Sequence, residues 1–133
     1  METTPPPDTN ASALSGIHPT GVHPSATEEV VLVFTTLPAE VDARAFVQPL
    51  LEARLIACGT VLAPASSVYR WDGAVVESAE QQVLLKTTTG TLERLRDAAL
   101  AHHPYDVPEW LIVPVAGGLP TYLAWVRGET AVP

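Results

Sequence analysis

The sequence predicts an α+β chain on the split βαβ, or ferredoxin-like, plan: βαββαβ with a short C-terminal helix. Three observations predict it. Apolar periodicity changes along the chain in the order strand, helix, strand, strand, helix, strand. Asp72-Gly73, set between two strand-like stretches, marks a tight hairpin. Right-handed crossovers then put both helices on one face of the sheet. The other face of its apolar strands is left bare, and such a face marks an association surface.

Val30-Val31-Leu32-Val33-Phe34 is short, β-branched and apolar on both faces, and reads as the first strand. Pro38 suits a first helical turn. Ala43, Phe46, Val47, Leu50, Leu51 and Leu55 then share one face at 100° per residue, which predicts a helix over 38–55. Pro49 falls on its polar side, where it is expected to bend the helix without ending it. Residues 58–68 read as a strand with a break or bulge at Pro64. Residues 81–87 alternate, with Val83 and Leu85 facing one way and Leu84 and Lys86 the other. Leu92, Leu95, Ala99 and His102 form the stripe of a second helix over 91–102. Trp110-Leu111-Ile112-Val113 is a second strand apolar on both faces, and residues 120–127 read as a short closing helix.

The chain has 133 residues, 47% of them hydrophobic, which fits one compact domain. Residues 1–27 carry five prolines, many Ser and Thr, and little to bury, so they read as a disordered tail. Within that tail Gly16-Ile17-His18-Pro19-Thr20 is repeated as Gly21-Val22-His23-Pro24-Ser25, a pattern that reads as linker, with a loose two-histidine metal handle as the functional alternative. The domain is expected over 28–128, with 129–133 as a C-terminal tail. Fifteen acidic against seven scattered basic residues give a net charge of -8, which argues against nucleic acid as a partner. No apolar run approaches the roughly 20 residues of a membrane span. Met1–Pro7 lacks a basic stretch leading into an apolar one, so a cytoplasmic protein is expected. The single cysteine, Cys58, excludes a disulfide or multi-cysteine metal site within one chain.

Four ordered motifs carry a family resemblance. They are Glu52-Ala53-Arg54-Leu55-Ile56-Ala57-Cys58; the frame Ser67-x-Tyr69-x-Trp71-x-Gly73, Glu80, Lys86-Thr87; His103-Pro104-Tyr105-Asp106-Val107-Pro108-Glu109; and Tyr122-Leu123-x-Trp125. Over residues 29–128 the chain resembles the CutA family, the divalent-cation tolerance proteins. The resemblance implies a ferredoxin-like subunit in a tight homotrimer, similar in architecture to the nucleotide-binding PII proteins. It also implies a link to tolerance of copper and other divalent cations. Some members carry further cysteines at positions that appear here as Thr35 and Ala98, which disfavours a thiolate-rich copper(I) site.

Candidate metal ligands are His102, His103 and Cys58, because imidazole and thiolate suit copper and zinc. Neighbouring helical histidines point about 100° apart. Weak binding of copper(II) or another divalent cation, with none tightly held, is therefore expected. His103, Asp106 and Glu109 are spaced by three, but Pro104 and Pro108 favour an extended link over a helix. Tyr69, Trp71, Lys86, Tyr105 and Glu109 form a candidate ligand cleft between subunits. A lysine among aromatics suits an anion, and the bland alternative is packing. There is no Gly-x-Ser-x-Gly elbow, Walker loop or dinucleotide fingerprint, so the chain does not read as an enzyme. Two function classes stand: a trimeric metal-associated protein of cation tolerance, and a PII-like small-molecule sensor or structural trimer presenting partner sites.

Overall fold

A computed structural model describes residues 29–131. The expected tail over 1–27 lies outside the described residues. The elements are β1 (Val30–Pro38), α1 (Ala43–Glu52), β2 (Cys58–Val61), β3 (Ala65–Trp71), β4 (Ala74–Thr88), a 3-10 turn (Thr89–Thr91), α2 (Leu92–Ala101), β5 (Leu111–Pro114) and α3 (Pro120–Glu129). The sheet runs β2-β4-β1-β5, with β3 pairing farther along β4, and every pairing is antiparallel. This is the expected split βαβ order, with the second strand broken around Pro64 into β2 and β3. Trp71 pairs with Ala74 across a turn in which Asp72 (φ 54) and Gly73 (φ 81) are both left-handed, the type I′ geometry that Asp-Gly favours.

Residues paired across a register share a face of the sheet. Val31, Val33, Thr35 and Leu37 therefore lie with Thr87, Leu85, Val83 and Gln81. The first seven of these eight are fully buried, and Gln81 is nearly so. Ala43, Val47 and Leu50 of α1, Leu95 and Ala99 of α2, and Trp110 close over this face. Gly59 of β2 lies on the same side. A Cβ there would stand 2.5 Å from Val47 Cγ1, so glycine is what lets α1 approach the strand.

The first helix differs from expectation at both ends. Pro38 is the last residue of β1, paired with Glu80, because the Gln81 amide donates to the Pro38 and Val41 carbonyls and holds the turn that follows. The helix starts at Ala43, where the Asp42 carboxylate caps the Arg44 and Ala45 N–H groups at 3.1 and 3.3 Å. It stops at Glu52. Arg54 takes φ 60, its N–H reaches the Leu51 carbonyl, and Leu55 N–H reaches the Leu50 carbonyl. That is the Schellman arrangement with arginine in the usual glycine position. Leu55 thus reaches the core from the turn rather than from the helix. Pro49 lies inside α1 and does not divide it. The Arg54 guanidinium donates to the Gly128 and Ala131 carbonyls, tying this turn to the end of α3.

The second face carries Val30, Leu32 and Phe34 of β1, Leu84 and Lys86 of β4, Leu111 and Val113 of β5, and Cys58 and Thr60 of β2. It is not wholly bare. Val30 packs with Ala57 and Val126, flanked by Val115 and Leu123, so α3 covers one end. The α3 helix runs through Glu129 and Thr130 is buried, so regular packing continues past residue 128. Among the described residues, no helix is long and apolar enough to cross a membrane.

Candidate functional site

The link 102–110 joins α2 to β5 without helix or strand, as Pro104 and Pro108 dictate. His102 is the C-cap of α2 and is exposed. The expected stripe with Leu95 and Ala99 ends one residue earlier, because the backbone leaves the helix at φ -118. His103 turns to the helix-covered face. Its Nδ1 accepts from the Tyr105 N–H at 3.1 Å, and its Nε2 lies 3.1 Å from Thr35 Oγ1. An Nδ1 that accepts leaves the proton on Nε2, so Nε2–H donates to Thr35. The ring stands edge-on to Phe46, with centroids 5.7 Å apart. Burial holds the imidazole below its ordinary value of 6.5, against the opposite pull of the Thr36 backbone.

Two residues on, the chain reaches the second face. The Tyr105 hydroxyl donates to Glu80 Oε2 at 2.6 Å. Its pKa is pushed up, first by burial, then by the bond to Glu80 and by the nearby Glu80, Tyr69 and Glu40. Tyr69 Oη and Ser78 Oγ share a 2.7 Å bond, and the Gln82 amide donates to Glu109 Oε2 at 3.2 Å. Tyr69, Tyr105 and Glu109 are therefore assembled around Glu80 and Gln82 of β4.

Lys86 is elsewhere. It pairs with Cys58 across β4 and β2. Its ammonium donates to the Tyr122 hydroxyl at 3.2 Å and lies 5.5 Å from that ring's centroid. Its pKa is raised mainly by the Tyr122 bond, with Cys58 helping and burial opposing. Six residues of strand separate Lys86 from Glu80, roughly 20 Å. Trp71 stands as far away in the other direction, 54% exposed beside the hairpin turn. The five-residue cleft is thus not assembled in one chain, and no lysine stands among the Tyr69 and Tyr105 rings.

The metal candidates are separated as well. Cys58 is on the second face, its Sγ 3.7 Å from Thr60 Oγ1. His103 is on the helix-covered face, and His102 is exposed at the end of α2. Among the described residues, no three His, Cys, Asp or Glu side chains are grouped so as to share an ion. The sequence reading missed Thr35, Gln82 and Tyr122 as site partners. Strand parity was the available signal for Gln82, which shares a face with Lys86. Nothing local marks Thr35 or Tyr122, whose contacts join segments 68 and 36 residues apart.

A family model described as "CutA1 divalent ion tolerance protein" matches residues 31–129. The "Divalent-cation tolerance protein CutA" of Thermus thermophilus is 45% identical over 103 residues, covering 77% of this chain and 98% of the relative. The protein of that name from Salmonella newport is 40% identical over 101 residues, covering 76% and 88%. Among solved structures, CutA from Xylella fastidiosa superposes with a TM-score of 0.74 at 38% identity, covering 77% of this chain and 99% of its own. The Thermus thermophilus structure gives 0.73 at 41% identity, with the same coverage.

Proposed function

The chain belongs to the CutA1 divalent ion tolerance family, and from that premise we propose that it works as a homotrimeric, divalent-cation-binding protein of cation tolerance rather than as an enzyme. The observation that carries self-association is the second sheet face. Leu32, Phe34, Leu84 and Val113 lie there half-buried and Leu111 is 55% exposed, beyond the end that α3 covers. On the opposite face by register, the β3–β4 hairpin exposes Val68 and Val75 at 66% and 68%, and β3 pairs with β4 alone among the described strands. Apolar faces and open strand edges of this kind are stabilised by pairing with another chain. Three sheets packed on such faces enclose a shared core, and interfaces of this obligate type bury more than ~2,000 Å².

For the cation, support comes from the names of the relatives and from two available donors. His102 is exposed and Cys58 is half-buried on the second face. Neither closes a site within one chain, so the proposed binding is weak and at the surface, with copper(II) first in the affinity order. Light scattering with copper(II) and nucleotide calorimetry tests the reading. A trimer with weak copper binding is expected. A monomer at micromolar concentration sinks the assembly, and a stoichiometric copper complex that survives chelator dialysis sinks the weak surface site. Tight nucleotide binding would favour a PII-like sensor instead. Because Lys86 is held by Tyr122 and stands far from the Tyr69 and Tyr105 rings in one chain, such a sensor would have to bind its anion between subunits. Cytoplasmic residence is part of the proposal and is tested by cell fractionation. One structural relative, from Archaeoglobus fulgidus, is described as periplasmic.

A further inference from the structure

Both nitrogens of His103 are engaged by the fold. A neutral imidazole has one ring lone pair to give a metal, and here the Tyr105 N–H holds it at 3.1 Å. The other nitrogen donates to the hydroxyl of Thr35, a fully buried residue in the middle of β1. Phe46 of α1 backs the ring edge-on. To ligate an ion through Nδ1, the ring would have to give up the Tyr105 bond and so leave a half-buried N–H without its partner.

That bond sits where the chain needs it. Residues 103–109 belong to no helix or ladder, and Pro104 and Pro108 cannot donate. Three of its side chains tie the segment to the sheet. His103 holds β1 on the helix-covered face; Tyr105 holds Glu80 at 2.6 Å and Glu109 holds Gln82 at 3.2 Å on the second face. His103 is the first of the three, and it fixes the backbone at Tyr105 itself. We propose that His103 is the positioning residue of this segment: a neutral imidazole that bridges β1 to the Tyr105 backbone, sets where Tyr105 and Glu109 meet β4, and does not ligate metal. The role holds whether or not the protein binds a cation.

The test uses the full chain with His103→Ala, His103→Gln and Thr35→Val. Glutamine carries one amide donor group and one acceptor oxygen, so it can replace both ring bonds. Three readouts are taken: exchange of the Tyr105 amide, absorbance titration of the Tyr105 phenol (assigned with Tyr105→Phe), and copper(II) calorimetry. In His103→Ala the Tyr105 amide should exchange about tenfold faster or more, and the phenol should titrate closer to the ordinary value of about 10. His103→Gln should restore both and leave copper binding unchanged. The proposal is overturned if His103→Ala moves neither readout, if glutamine rescues neither, or if His103→Gln weakens copper binding tenfold or more. Should His103→Ala fail to fold, Thr35→Val, which removes the hydroxyl at similar shape, is read the same way. Unchanged Tyr105 exchange and titration in that variant refute the proposal.

Discussion

Adding one methyl group at Gly59 probes how closely the first helix sits on the sheet. A Cβ built on Gly59 lies 2.5 Å from Val47 Cγ1 and 3.1 Å from Cγ2. Carbon atoms in van der Waals contact prefer 3.5–4.0 Å, so a full ångström must be found. Val47 cannot supply it by rotating. It is β-branched, sits in α1 where its χ1 has one strongly preferred well, and is only 6% exposed. Overpacking of this kind costs about 1–3 kcal/mol. Reduced freedom of the unfolded chain returns about 0.4–1 kcal/mol. At the midpoints of the two ranges Gly59→Ala should therefore destabilise by about 1.3 kcal/mol, a Tm loss of about 5–10 °C for a domain of this size. A double-mutant cycle isolates the cause. Val47→Ala alone removes buried methyls and destabilises, but in the Gly59→Ala background it also makes room for the new one. The double variant should be more stable than additivity predicts by about 1 kcal/mol. Urea unfolding at one fixed protein concentration measures all four chains, since self-association shifts apparent stability. Additive losses, or a Gly59→Ala protein as stable as the parent, would show that α1 can move off β2 without cost.

Leu111→Asp should leave the secondary structure intact and abolish the proposed trimer, because Leu111 is 55% exposed in the isolated chain and faces the apolar patch beside Phe34; circular dichroism with light scattering separates the two effects. Pro49→Ala should stabilise by about 2 kcal/mol: the helix gains about 3 from the proline it loses, less about 1 for the freer unfolded chain. A fall in Tm would show that the helix needs its proline. His103 also predicts a pH dependence. Its folded pKa is lowered below 6.5, so the unfolded chain binds the proton more readily, and stability is full above 6.5 and lost as pH falls from there through the folded value. Urea midpoints across pH 8 to 4.5 should show an acid loss that is smaller in His103→Gln, and identical profiles would contradict the assignment.

Element order, the Asp72-Gly73 hairpin and the break at Pro64 were legible because each rests on neighbours in the chain. The type I′ turn needs two residues that accept positive φ, and a proline cannot continue a ladder. The start of α1 was misread because Pro38 fits a strand end as well as a helix start. What decides between them is Gln81, forty residues away, donating to Val41. The end of α1 was misread because Arg54 occupies a left-handed position that glycine usually signals. Its compensation, the bonds to Gly128 and Ala131, comes from the far end of the chain. The site was legible as residue types and not as groups. Tyr69, Tyr105 and Glu109 do converge, but Lys86 and Cys58 pair across strands, and His103 turns to the opposite face from both.

That division bears on what the five cleft residues can do together. Lys86 and Glu80 are both on β4 and share a face, so the distance between them is set by strand rise, roughly 20 Å over six residues. A lysine side chain reaches only a fraction of that, and its ammonium is already donating to Tyr122. No side-chain rearrangement within one chain can place this ammonium beside the Tyr105 hydroxyl at Glu80. A second copy can, because apposed sheet faces or paired strand edges bring different stretches of β4 next to one another. The composite cleft and the assembly are therefore one proposition. If Leu111→Asp yields a folded monomer, any ligand whose binding needs both Lys86 and Tyr105 must lose its affinity in that variant, although Leu111 lies on β5, paired with Phe34. A ligand that binds the monomer as well as the parent must instead use the Tyr105–Glu80–Glu109 cluster or the Lys86–Tyr122 pair alone, and single substitutions at Tyr105 and Lys86 would tell which.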